Sequence, residues 1–307
     1  MAMKLQLETT APFQGLPELV AFNEGLFAKE GLDVEFVPRG ENAPAQVDRT
    51  VISVAQSNAF GSHGSSLEAG KAAMFNACEW GNYCRVEQSS AGGRQVGRRA
   101  IITYGAIVVA PQSEVYTPQQ LAGKTVGVPY YAGTHFLAIL MLEGFLRREE
   151  IKTCLAPNGA GRRLAALMNG ELDATTLTEP YITVAEKKGC RVILEAPYHG
   201  TEVATSAVGA ETYASFNRAV AEAVRRINAD KRKYLQYFID YHKADPDVAA
   251  LTVDDLRAGR LQVVEPAPIP EAELQRSYEW LRAWDLVGDL DWRELVDEQR
   301  QALAHTS

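Results

Sequence analysis

Four cysteines in 307 residues, with no Cys-x-x-Cys pair among them, exclude a disulfide framework and a thiolate zinc site. Cys78, Cys84, Cys154 and Cys190 read as buried or free thiols, which fits a reducing compartment. Positive charge is also short. Lys and Arg number 31 against 39 Asp and Glu, for a formal net charge of -8 and a pI of about 5.3. That balance opposes nucleic acid as the main partner, because phosphate binding needs a basic footprint. No apolar run reaches the roughly 18 residues of a membrane span. No basic start and apolar stretch of roughly 7–15 residues marks a secretory leader. The chain as written is therefore expected in the cytoplasm, or in the periplasm if it begins at a processed end. A Walker-type loop, a dinucleotide glycine fingerprint after the first strand and His-Glu-x-x-His are all missing. No cofactor and no metal is expected.

What is present is a chain rich enough in apolar residues, 46%, to fill proper cores. Residues 4–8 alternate as a strand. A helix is expected over 17–30, closed by Gly31, and a second strand over 32–37. Such a β-α-β unit makes the two strands parallel neighbours. The pattern predicts a helix over 43–51, a strand within 52–60 and a strand over 74–77. Residues 78–99 break the rhythm, being rich in Gly, Ser, Asn and Arg, and read as an irregular excursion. Residues 106–110 are an apolar strand. A second cycle follows: a strand at 125–128, then a helix to about 148 with Phe136, Ile139, Leu140, Leu142 and Leu146 on one face. A helix at 162–169, a strand at 174–177, a helix at 182–188 and a strand at 191–194 complete it. The last third is helical, with one long helix over 216–238. Alternating elements predict an α/β fold with mostly parallel sheets flanked by helices.

In such sheets ligands meet the carboxyl ends of strands, and candidate site residues follow from that rule. After the first strand, Phe13 offers a stacking face and Gln14 a hydrogen-bonding amide. The loop from Gly61 to Ser66 opens a helix, whose free N–H groups suit an anion, with Ser62 and Ser65 as added donors. His63 is a ligand contact there, or an acid–base group. Gly133, Thr134 and His135 open the helix of the second cycle in the same way. Glu179, after the strand at 174–177, is the strongest candidate, suited to an amine or protonated ring, or to proton transfer if desolvated. Tyr181 follows it. Within the polar excursion, Glu79, Trp80 and Tyr83 offer an acid and an aromatic wall. Arg85 could clamp a carboxylate, near the basic cluster Arg94, Arg98 and Arg99. His199 precedes the return to the first half.

Three stretches together resemble a known family: residues 21–34, with Phe22-Asn23-Glu24-Gly25-Leu26-Phe27; residues 119–128, with Leu121-Ala122-Gly123-Lys124-Thr125-Val126-Gly127; and residues 170–181. The chain looks like a type 2 periplasmic-binding fold of the SsuA-like sulfonate, nitrate and thiamine-precursor branch, over about residues 4–240. The resemblance implies a two-lobed fold with a ligand cleft between the lobes. Lobe one would take 1–109 plus 206–307 and lobe two 110–205. The crossings are expected at Ile107-Val108-Val109 and Ala207-Val208-Gly209. It implies a solute-binding protein for a small organic anion, with an ABC permease as partner. The wider fold also carries enzymes, so a cytosolic lyase, decarboxylase or hydrolase using His63, His135 and Glu179 is the alternative. The clustered cysteines of the thiamine-precursor synthases are missing here. So is the nucleophilic cysteine that aryl sulfinate desulfinases carry after their first strand.

Overall fold

The computed structural model describes residues 2–40 and 45–304. Met3–Glu8 (β1) and Leu32–Val37 (β2) pair in parallel, in register from Met3 with Leu32 to Glu8 with Val37. Between them run Pro12–Asn23 (α1) and Leu26–Lys29 (α2). Gly25, at φ +69°, makes the left-handed break that separates the two helices. In β2, Leu32 and Val34 face the core while Asp33 and Glu35 face solvent, the period of two that the sequence predicts.

Residues 45–51 form no helix; Asp48 instead bridges to Leu155. Residues 43–44 of that expected helix lie outside the described residues. The expected strand within 52–60 is replaced by two single-turn helices, Val54–Gln56 and Ala59–Gly61, each capped by a side chain, Ser53 or Asn58. Ser65–Glu68 (α3) leads to the fully buried Met74–Cys78 (β3). The supposed excursion is regular: Glu79–Gln88 (α4), with Cys78 as its N-cap, then Arg94–Arg98 (β4). Its polar residues mislead because Asn82, Arg85 and Gln95 are buried and bonded to distant parts of the chain.

Ile101–Val109 (β5) crosses to the second sheet. There follow Thr125–Val128 (β6), Gly133–Leu142 (α5), Lys152–Leu155 (β7), Ala160–Met168 (α6), Ala174–Leu177 (β8) and Tyr181–Lys187 (α7). Arg191–Tyr198 (β9) runs antiparallel to β5 and continues past His199 into Gly200–Ala204 (β10), which pairs with β3 and β4. The return crossing is thus β9 into β10. Ala207-Val208-Gly209 is not a strand but the lead-in to Ala210–Ala229 (α8). The expected single helix over 216–238 splits at Asp230, which caps Lys231–Tyr241 (α9) through the Lys233 amide. Pro246–Ala249 (α10), Gln262–Val263 (β11), Glu271–Ala283 (α11) and Glu298–Ala304 (α12) complete the chain.

Two open sheets result, ordered β2-β1-β3-β10-β4 and β11-β5-β8-β6-β7, with β9 alongside β5. This is the two-lobed α/β architecture. Leu5, Leu7 and Met74 of the first sheet pack under Leu16 and Val20 of α1 and Phe216 and Val220 of α8. In the second, Val126, Val128 and Ala174 pack with Phe136, Leu137 and Leu142; α5 ends at Leu142 rather than near 148, it is buried nearly all round, and Leu140 of the expected face is 39% exposed. Each fully buried Leu or Phe contributes about 1.5–3 kcal/mol. Among the described residues no helix is long and apolar enough to cross a membrane.

Candidate functional site

The carboxyl ends of β1, β3, β6, β7 and β8 converge on one cavity of about 200 Å³. Ala11, Phe13 and Gln14 reach it from behind β1, and Arg39 from behind β2. His63 and Cys78 complete the first lobe's side. Pro129, Gly133 and Thr134 come from the β6–α5 turn, Asn158, Ala160 and Arg163 from the start of α6, and Thr178 and Tyr181 from behind β8. Tyr198 on the return crossing and Tyr241 with His242 at the end of α9 close the wall. Groups from both lobes therefore share one hollow.

Of the residues chosen from sequence, Phe13, Gln14, His63, Gly133, Thr134 and Tyr181 line this cavity. Gly133 has a steric reason. A Cβ there would sit 2.4 Å from the Tyr198 ring, so only glycine lets that ring lie against the start of α5. The helix has no side-chain cap, so its first N–H groups remain donors. Gln14 donates through Nε2 to the Asn76 carbonyl at 2.9 Å, and its Oε1 lies 2.9 Å from His63 Nε2. Burial and the nearby Arg39, Arg85 and Arg99 hold His63 well below its ordinary pKa, so the ring is neutral.

Eight of the residues expected at the site lie elsewhere. Glu179 is buried but faces away from the cavity. Its Oε1 accepts from Arg260 Nη1 at 2.8 Å and from Thr183 Oγ1 at 3.0 Å. Arg260 also holds Glu186 and Glu195, so the acid belongs to a structural ion cluster. Burial raises the Glu179 pKa, against the pull of Arg260. His135 turns to the other side of α5, into a separate cavity of about 500 Å³ with Tyr130 and Trp284. Burial alone pushes its pKa down to about 3. The acid–base set His63, His135 and Glu179 is therefore not assembled.

The anion site expected at residues 61–66 already has an occupant. Glu8 accepts from the Gly64 and Ser66 amides at 2.8 and 2.9 Å. Ser62 accepts from Arg85 Nη2 and Ser65 from the Gly40 amide, and neither lines the cavity. Glu79 is buried away from it, its pKa raised by burial. Trp80 stands behind the wall, with its ring centroid 5.7 Å from Tyr198 and 6.2 Å from Phe136. Tyr83 packs on Tyr278 instead. Arg85 clamps no ligand carboxylate. It ties the Ala59 and His63 carbonyls to the Tyr131 carbonyl, joining the loop before α3 to the β6–α5 turn.

Sequence reasoning passed over Arg39, Tyr198, Tyr241 and His242, and set Arg163 aside with a weak phosphate-site reading of Gly159-Ala160-Gly161. Arg163 is the most consequential. It is buried on the cavity wall, and its hydrogen bonds go to the Thr176, Pro157 and Asn158 carbonyls. Burial pushes its pKa down to about 9. The Gly159-Ala160-Gly161 loop that opens α6 reads from sequence as only a weak phosphate site, and the burial of Arg163 behind it does not show in the sequence. Arg39 bonds the Thr9 carbonyl at 2.8 Å and lies 3.5 Å from Glu8. Among the described residues no three His, Cys, Asp or Glu side chains gather as a metal site.

The architecture matches solved structures over nearly the whole chain. The alkanesulfonate-binding protein SsuA from Xanthomonas axonopodis pv. citri, bound to MOPS, superposes with a TM-score of 0.67 at 14% identity, covering 99% of this chain and 97% of that one. The periplasmic aliphatic sulphonate binding protein SsuA from Escherichia coli gives 0.68 at 15%, covering 99% of each. The ligand-binding component of an ABC-type import system from Staphylococcus aureus, with zinc bound, gives 0.71 at 13%, covering all of both. No protein-family model matches the sequence, and no curated protein sequence does. The likeness establishes an SsuA-like periplasmic-binding fold.

Proposed function

We propose that this protein captures a small organic anion in the interlobe cavity and that its lobes close on it. The observation that carries this reading is Arg163, a buried guanidinium on the cavity wall whose hydrogen bonds all go to carbonyls. A buried charge without a counter-ion is unfavourable. An anion lying between Arg163, Arg39 and the uncapped start of α5 offsets it, with charge-assisted bonds on one side and helix N–H groups on the other. The cavity is smaller than the roughly 300–1,000 Å³ of drug-sized pockets, which suits a short-chain acid. The sulfonate-binding neighbours, one of them bound to MOPS, support the same class. Delivery to an ABC-type permease would be the next step. Closure follows if the ligand binds the closed form more tightly than the open one.

The test is a melting-temperature screen with short alkanesulfonates and carboxylates beside neutral amides of matching size. Binding to the folded form raises Tm with ligand concentration. The anions are expected to stabilise and the amides not to. Arg163→Gln is expected to weaken anion affinity about 100-fold. Equal shifts from the amides, or unchanged affinity in a folded Arg163→Gln protein, contradict the reading.

A further inference from the structure

We propose that the captured anion carries a neutral hydrogen-bond donor, a hydroxyl, beside its charge, and that the lone pair of His63 Nδ1 reads it. The inference rests on the anion-capture reading and adds the second half of the ligand. It starts from a carbonyl. Gln14 Nε2 lies 2.9 Å from the backbone oxygen of Asn76, which can only accept. The Gln14 amide therefore has one orientation. Asn76 agrees with it: its Nδ2 donates to Glu18, so its Oδ1 faces Gln14 Nε2 at 3.1 Å.

Gln14 Oε1 is thus the atom presented to His63, and it can only accept. The 2.9 Å contact makes His63 Nε2 the protonated nitrogen. A neutral imidazole has one ring N–H, so Nδ1 carries a bare lone pair. That nitrogen is buried and meets no donor among the described residues. The ring itself is 6% exposed and lines the cavity. A second ring proton is opposed by Arg39, Arg85 and Arg99 nearby.

The relay from Asn76 through Gln14 leaves this buried lone pair open on a residue of the cavity wall. A ligand without a donor keeps it unpaired, and a site with an unpaired buried polar group discriminates strongly. The donor is not an ammonium. A second cation would sit among the same three guanidiniums that keep His63 neutral. A hydroxyl meets the lone pair without adding charge, so the class is a short hydroxy-substituted sulfonate or carboxylate.

The experiment compares pairs that differ only in the hydroxyl: 2-hydroxyethanesulfonate with ethanesulfonate, and 3-hydroxypropanoate with propanoate. Affinity is measured by calorimetry on the full chain. At least one hydroxyl member is expected to bind at least tenfold tighter than its partner, and His63→Phe is expected to erase that ratio. The sulfonate and carboxylate arms tell the two head groups apart. Histidine ring ¹⁵N spectra of the unmodified protein give a second readout, independent of how the variant folds. Nδ1 should be unprotonated in the free protein, and its resonance should move with the hydroxyl member only. Equal affinities within both pairs, or a protonated Nδ1 in the free protein, overturn the proposal while anion capture stands. Binding of none of the four overturns anion capture, and this proposal with it.

Discussion

Two loops in this molecule carry the same local signature and end differently. Residues 61–66 and residues 132–135 each place glycine, a hydroxyl and a histidine where a helix begins, the first after a single-turn helix and the second after β6. In the first, the chain brings its own carboxylate. Glu8, fifty-odd positions away, accepts the Gly64 and Ser66 amides. In the second, no side chain caps the helix, and Gly133 and Thr134 border the cavity. The electrostatics of a helix start is the same in both places. What makes one a structural joint and the other a ligand site is whether an acceptor from the protein arrives first. The two histidines separate in the same way. His63 faces the cavity with one nitrogen held by Gln14, while His135 is sealed on the far side of α5.

The largest expected effect comes from removing the internal occupant. Glu8→Gln leaves two amides with a weaker acceptor and Arg39 without its carboxylate. Breaking a buried charge–hydrogen-bond set costs about 3–5 kcal/mol. A urea titration should show that loss, and a value under about 1 kcal/mol would mean that the loop does not depend on Glu8.

The histidine contrast can be read from pH. The native pKa of His135 lies near 3, against 6.5 for the free side chain. Between those values the unfolded chain holds a proton that the native state refuses. Stability therefore falls as pH drops below 6.5, by at most about 1.4 kcal/mol per pH unit from this residue. His135→Phe should flatten the acid limb of the stability curve while leaving anion affinity unchanged. An unaltered acid limb would place His135 in solvent.

Filling the open helix start should disturb binding and packing together. Gly133→Ala drives a methyl into the buried Tyr198 ring, so stability should fall by about 1–3 kcal/mol and anion affinity by about tenfold, or about 1.4 kcal/mol, the affinity being measured on the folded variant. Wild-type affinity in this variant would detach the helix start from the site. The smallest effect on binding belongs to Glu179→Gln. Arg260 keeps Glu186 and Glu195, so stability should fall by only about 1–2 kcal/mol and affinity not at all. A large loss of affinity would return Glu179 to the site.

The same division runs through what could be read from sequence. The parallel β1–β2 pair with a helical connection and most of the strands were legible because strand and helix periods are local, whereas the break at Gly25 and the all-round burial of α5 were not. Six of the twelve chosen site residues line the cavity for that reason. Glu179 and Ser65 miss it through partners remote in the chain, Arg260 across 81 positions and the Gly40 amide across 25, and His135 because it sits on the other face of α5. Residues 78–99 looked irregular because their polar side chains are buried and satisfied at long range, so composition suggested a surface loop. Arg163, with the Gly159-Ala160-Gly161 loop before it, reads from sequence as only a weak phosphate site because an arginine in the first turn of a helix usually reaches solvent, and only the fold turns this one inward.

The central claim concerns where an anion rests, and a bromine atom can mark the place. The protein crystallised with 2-bromoethanesulfonate, with data collected at the bromine absorption edge, is predicted to show one anomalous peak in the cavity between Arg163, Arg39 and the start of α5. A peak at residues 61–66 or in the cavity beside His135 and Trp284, or an empty interlobe cavity at saturating ligand, would contradict it.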